Sequence, residues 1–167
     1  MSEPPAPQPQ LRPTNPATLF VVALGAAALS WVLIGRYYGD VPQLTWFPAL
    51  TLFMLAVLEA IAARAIKARI DRRPGTEPVE PLVVARFVVM AKASSVAGAL
   101  FTGIYGGVLV WVWAASSENQ HAAADIGPAA QGLAAALLLV AAALWLERCC
   151  RIPESDSDRD AESPDDR

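Results

Sequence analysis

Apolar residues fall in four long runs along this chain, and the charges collect between them. Ala17–Ile34 carries no charged residue and approaches the roughly 20 residues that cross ~30 Å of hydrocarbon as a helix. Phe47–Ala63 is apolar except for Glu59, Leu82–Trp113 contains only Arg86 and Lys92, and Ile126–Leu146 is uncharged. The pattern predicts an all-α fold: an integral membrane bundle of four transmembrane helices with spans near 16–38, 47–66, 84–114 and 126–147. These spans make up a membrane domain of residues 14–152. The Pro-rich tail 1–13 and the acidic tail 153–167 have too little apolar content to fold around and are expected to be disordered.

Punctuation residues set the boundaries. Asn15 suits an N-cap with Pro16 at the first helical position, where a missing N–H does no harm. Pro48, Pro81 and Pro128 are expected to play the same part in the other three spans. Tyr37, Tyr38, Trp46, Trp111 and Trp113 read as aromatic anchors at headgroup level. The second helix runs on into Arg64, Lys67, Arg69, Arg72 and Arg73, with Ile66 and Ile70 as a narrow apolar stripe, until Pro74–Gly75 ends it. The third run, at ~48 Å, exceeds the bilayer, so Lys92 is expected to snorkel near the inner boundary with Arg86 in the headgroups.

Charge placement gives the orientation. The net charge of −3 averages a strongly acidic tail, with seven acids and two arginines, against a remainder with nine acids and eleven bases. With Arg64–Arg86 in the cytoplasm, alternation puts twelve of the thirteen Lys and Arg inside and leaves Arg36 outside. That asymmetry predicts both termini in the cytoplasm of a bacterial cell, with the chain multi-pass in its plasma membrane. Ala26-Ala27-Ala28 could pass for a signal-peptidase site, but the flanking region has one arginine and the apolar run is too long for a signal peptide. Arg is much commoner than Lys, and Ala is abundant, as in a high-GC bacterial genome.

The candidate chemistry is sparse. Glu59 lies within a span, where an ionisable group is costly and faces protein or water. It sits about 9 Å inside the cytoplasmic end of the second helix. Lys92 or Arg86 on the antiparallel third helix could reach it, as a structural ion pair or as part of a proton- or substrate-coupling site. The third helix carries two rows of small residues at spacing four: Ser94, Gly98, Thr102 and Gly106, then Ala91, Ser95, Ala99, Gly103 and Gly107. Such rows let helix backbones approach closely and mark this helix as the central packing element. Arg64, Lys67, Arg69, Arg72 and Arg73 suit anionic lipid headgroups rather than nucleic acid, since no aromatics are interleaved. Cys149 and Cys150 read as reduced interfacial thiols, and His121 as a solvated residue with Glu118 and Asp125 as neighbours. No phosphate-loop, dinucleotide, HExxH or Ser/His/Asp pattern is present, so no catalytic residue, cofactor or metal is expected.

Three stretches, RPTNPATL from Arg12, Arg73–Gly107 with its RPG turn and AKAS…AG…GIYGG pattern, and ALWLERCCRIP from Ala143, resemble an uncharacterised actinobacterial membrane family, domain of unknown function 3180. The resemblance spans Arg12 to Pro153. It implies a four-helix membrane protein and brings no catalytic residues with it. The leading expectation is a non-enzymatic accessory, scaffold or assembly protein, in a homo-oligomer or beside a membrane-protein partner. The alternative is a small homo-oligomeric transporter or channel subunit using Glu59.

Overall fold

The computed structural model describes residues 15–40, 44–70 and 81–150. Both tails, Arg72, Arg73 and the Pro74–Gly75 turn lie outside them. Four α-helices account for nearly all of the described chain: α1 Pro16–Tyr37, α2 Phe47–Ile70, α3 Pro81–Ala115 and α4 Gln120–Cys149. Each is long and apolar enough to cross a membrane. At 1.5 Å per residue, α3 extends about 52 Å and α4 about 45 Å, well beyond a hydrocarbon core.

Helix starts follow local chemistry. The Asn15 side chain accepts a hydrogen bond from the Ala17 N–H, with Pro16 directly after it. Pro48 and Pro81 also stand in first turns, where no intrahelical donor is lost. The fourth proline departs from expectation. Helix α4 begins six residues before Ile126, because Asn119 accepts from the N–H groups of His121 and Ala122 and so caps a polar first turn. Pro128 therefore lies inside α4, where it leaves the Ala124 carbonyl without its usual N–H partner. At the other end α2 carries its helix through Arg69 to Ile70, as the Ile66 stripe predicts.

The spatial order differs from the chain order. Helices α3 and α4 form the central pair, α1 packs on α3 and α2 on α4, while α1 and α2 make no more than glancing contact. Residue levels give the directions: Ala23 and Ala27 of α1 meet Gly103 and Gly107 of α3, whereas Gly98 of α3 meets Val140 of α4. So α1 runs parallel to α3, and α3 antiparallel to α4. Ala63 and Ile66 of α2 share a cluster with Leu146 and Cys150 of α4, which makes α2 parallel to α4. Arg64, Lys67, Arg69, Arg86, Lys92 and Arg148 therefore lie toward one end of the bundle, here called the basic end. Arg36 is the only described Lys or Arg toward the opposite, acidic end, with Glu118 and Asp125.

Little of the core is large. Ala56, Ala63, Ala91, Ala99, Ala122, Ala129, Ala136 and Ala143 are buried, with Leu139 and Leu146 the bulkiest apolar side chains fully enclosed. Large residues such as Phe20, Leu24, Trp31, Phe53, Leu58 and Leu138 face outward, the inverse of a soluble protein and the arrangement a lipid solvent favours.

Candidate functional site

Among the described residues Glu59, Asp125 and Glu147 are buried acids, and the first two occupy seam positions where helix packing calls for an apolar residue. On α2 the buried residues are Ala49, Leu52, Ala56, Glu59, Ala63 and Ile66, alternating at spacings of three and four. That is a heptad seam, and it packs against α4. Glu59 occupies a seam position and is 1% exposed. On α4 the seam runs Ala122, Asp125, Ala129, Gly132, Ala136, Leu139, Ala143, Leu146 and Cys150, with Asp125 in the same structural situation.

The two carboxylates differ in what meets them. Among the described residues neither Glu59 oxygen has a hydrogen-bond partner. The Ser94 hydroxyl of α3 is close enough to influence the carboxyl but is not placed for a hydrogen bond. Neither Lys92 nor Arg86 donates a hydrogen bond to it. Lys92 stands two residues from Ser94, about 200° around α3. Arg86 is exposed and lies eight residues, about 12 Å of helix, before Ser94. The other hydroxyls near this level turn to their own backbone: Ser95 donates to the Lys92 carbonyl and Thr102 to that of Gly98.

Asp125 has partners on both oxygens. The Tyr38 hydroxyl donates to Oδ2 at 2.7 Å, and the Leu44 N–H donates to Oδ1 at 3.2 Å. One carboxylate thereby ties both sides of the α1–α2 connection to the second turn of α4. The Tyr38 ring lies 4.4 Å from that of Trp111. Burial, then the hydrogen bond to Asp125 and its charge, push the Tyr38 hydroxyl up to about 12. From sequence Asp125 reads as a neighbour of a solvated His121 ahead of the fourth span; His121 is exposed in the first turn of α4, and Asp125 faces inward. The signal for this pin was the heptad spacing of alanines around Asp125.

The small-residue rows divide by partner. A Cβ at Gly103 would run into the Ala23 carbonyl oxygen and lie 2.7 Å from the Ala26 Cβ; one at Gly107 would run into the Ala27 carbonyl oxygen. These two glycines hold α1 against α3, and Ser30 adds a hydrogen bond to the Ile104 carbonyl at 3.1 Å. In the other row, Gly98 admits Val140 of α4, whose side chain would stand 2.8 Å from an added Cβ. Gly106 meets only the Leu133 side chain at 4.0 Å and closes nothing. Gly132 of α4 was not singled out from sequence, yet the Tyr105 ring rests directly on its backbone. At the basic end Cys149 and Cys150 join Ala63, Ile66, Phe87, Ala91 and Leu146 in one apolar cluster.

This is a bundle of four membrane-length helices whose interior is given to close packing, with one seam carboxylate, Asp125, pinned and the other, Glu59, without a hydrogen bond. A family model described as "Protein of unknown function (DUF3180)" matches residues 19–154, and the chain belongs to that family. No curated protein and no solved structure matches it.

Proposed function

We propose that the chain is a multi-pass protein of the bacterial cytoplasmic membrane, with both termini in the cytoplasm, acting as a non-enzymatic accessory or scaffold subunit. The observation that carries this reading is the Gly103–Gly107 row, where the α1 backbone fills the space a side chain would take. With Gly98 and Gly132 doing the same between α3 and α4, the interior serves helix association. The orientation is supported by the gathering of Arg and Lys at one end. Arg64, Lys67 and Arg69 meet anionic headgroups there, and no nucleic acid is involved. Alkaline phosphatase fused after Arg167 should be inactive, and the same enzyme inserted after Ser117 active; the reverse pattern rejects the orientation.

A second reading, a homo-oligomeric transporter or channel subunit using Glu59, is favoured by that buried, unpartnered carboxylate. Proton flux into liposomes separates the two. A scaffold gives no flux above empty vesicles, whether wild type or Glu59→Gln. A flux present in the wild type and lost in Glu59→Gln supports transport and rejects the scaffold.

A further inference from the structure

On the basic half of the α2–α4 face, Arg64 lays its guanidinium 5.2 Å from the centre of the Trp145 ring, a cation–π contact between two parallel helices. Both residues are exposed, Trp145 by 38%. Arg148 follows Trp145 by three residues, so it stands on the same face one turn nearer the helix end, and it too is exposed. Below Arg64, at seven and eleven residues back, α2 presents Val57 and Phe53. Below Trp145, α4 presents Ala141 and Leu138, all outward-facing. The acids of these two helices nearest this face, Glu59 and Glu147, are buried. Two guanidinium groups therefore cap an apolar lane about 16 Å long.

We propose that this lane is a binding site for one anionic glycerophospholipid, with its phosphodiester between Arg64 and Arg148 and an acyl chain along Val57, Phe53 and Leu138. The site rests on the membrane reading given above. Planar guanidinium forks match phosphate oxygens in a way an ammonium does not. The Trp145 ring holds Arg64 in place, which lowers the entropy lost on binding, and an indole suits headgroup depth. A free phosphate would gain nothing from the apolar lane, whereas a lipid fills it.

The test uses the full chain in mild detergent, titrated with phosphatidylglycerol or phosphatidylcholine, with retained lipid counted by native mass spectrometry. Phosphatidylglycerol should be retained in preference to phosphatidylcholine, and inorganic phosphate should not displace it. Arg64→Gln and Arg148→Gln should each weaken binding about fivefold, and the pair on the order of thirtyfold. Arg36→Gln, exposed at the opposite end of the bundle, should leave it unchanged. Equal loss in Arg36→Gln, full retention by the double variant, equal binding of phosphatidylcholine, or displacement by inorganic phosphate each overturns the site. Should the double variant not fold, Arg148→Gln alone, which leaves the Arg64–Trp145 contact intact, decides. Failure of the membrane reading has a separate mark: the chain would then stay in the supernatant when membranes are sedimented without detergent.

Discussion

At the scale of single residues, the two carboxylates buried in the helix seams, Glu59 and Asp125, make opposite predictions. Glu59 sits in a seam of alanine and leucine with no hydrogen bond to lose, so burying it costs free energy that no contact repays. Glu59→Leu, of similar volume, should raise stability by about 1–3 kcal/mol, read as a higher melting temperature in detergent. A clear fall would mean that Glu59 has a partner. Tyr38 does have one. Tyr38→Phe removes the bond to Asp125 and should cost about 2 kcal/mol. The folded state holds the Tyr38 proton more tightly than the unfolded chain does, with the hydroxyl raised from 10.0 to about 12. Its contribution is therefore complete below pH 10 and lost as the pH climbs through 12. Melting of wild type against Tyr38→Phe should give a constant gap below pH 10 that closes toward pH 12. A gap unchanged across that window would place the tyrosine outside the latch.

At the scale of elements, the glycines on α3 look alike in sequence and differ in what faces them. Gly103→Ala would put a methyl group into the Ala23 carbonyl, and backbone cannot yield as a side chain tip does. Helix α1 would have to back away, at about 1–3 kcal/mol. Gly106→Ala meets only Leu133 at van der Waals distance and should be neutral or, through helix propensity, better by up to ~1 kcal/mol. Melting temperatures of the two variants check the contrast, and equal effects would remove the α1–α3 seam as described. The same contrast marks how far sequence carries. Spacing at four marked out Gly103 and Gly107 because small residues in a row have one use in a membrane helix. It could not tell that Gly106 faces little, since that depends on which neighbours α3 acquires. The start of α4 was missed for a related reason. Gln120, His121 and Asp125 read as a polar loop until the inward turn of Asp125 and the Asn119 cap give each polar group a place. Glu59 is legible as a buried acid, but its lack of a hydrogen bond is not, because sequence gives its depth without the azimuth that separates Ser94 from Lys92.

At the scale of the whole molecule, the order α1–α3–α4–α2 constrains how the bundle can assemble. The four spans and the sorting of charge follow from hydropathy alone, whereas this order does not, because any pair of apolar helices satisfies the same hydropathy pattern. In it the first hairpin is not a packing unit: α1 and α2 are sequence neighbours that barely touch, each leaning on a different member of the central pair. The second hairpin is one, closed by Gly98 against Val140 and by Tyr105 against Gly132. Helices α1 and α2 must then wait in the bilayer until α3 and α4 arrive, with the Ala23–Ala27 face of α1 and the Glu59 seam of α2 facing nothing meanwhile. A chain divided between residues 70 and 81 tests this order. The fragment carrying α3 and α4 should accumulate alone and resist protease in membranes. The fragment carrying α1 and α2 should be degraded alone and persist when its partner is co-expressed, recovered with it through a tag on either piece. Gly103→Leu in the α3–α4 fragment should weaken that recovery without harming the fragment's own survival, because the seam it breaks belongs to α1. Were the first fragment to persist by itself as well as the second, α1 and α2 would have to pack on each other, and the spatial order described here would be wrong.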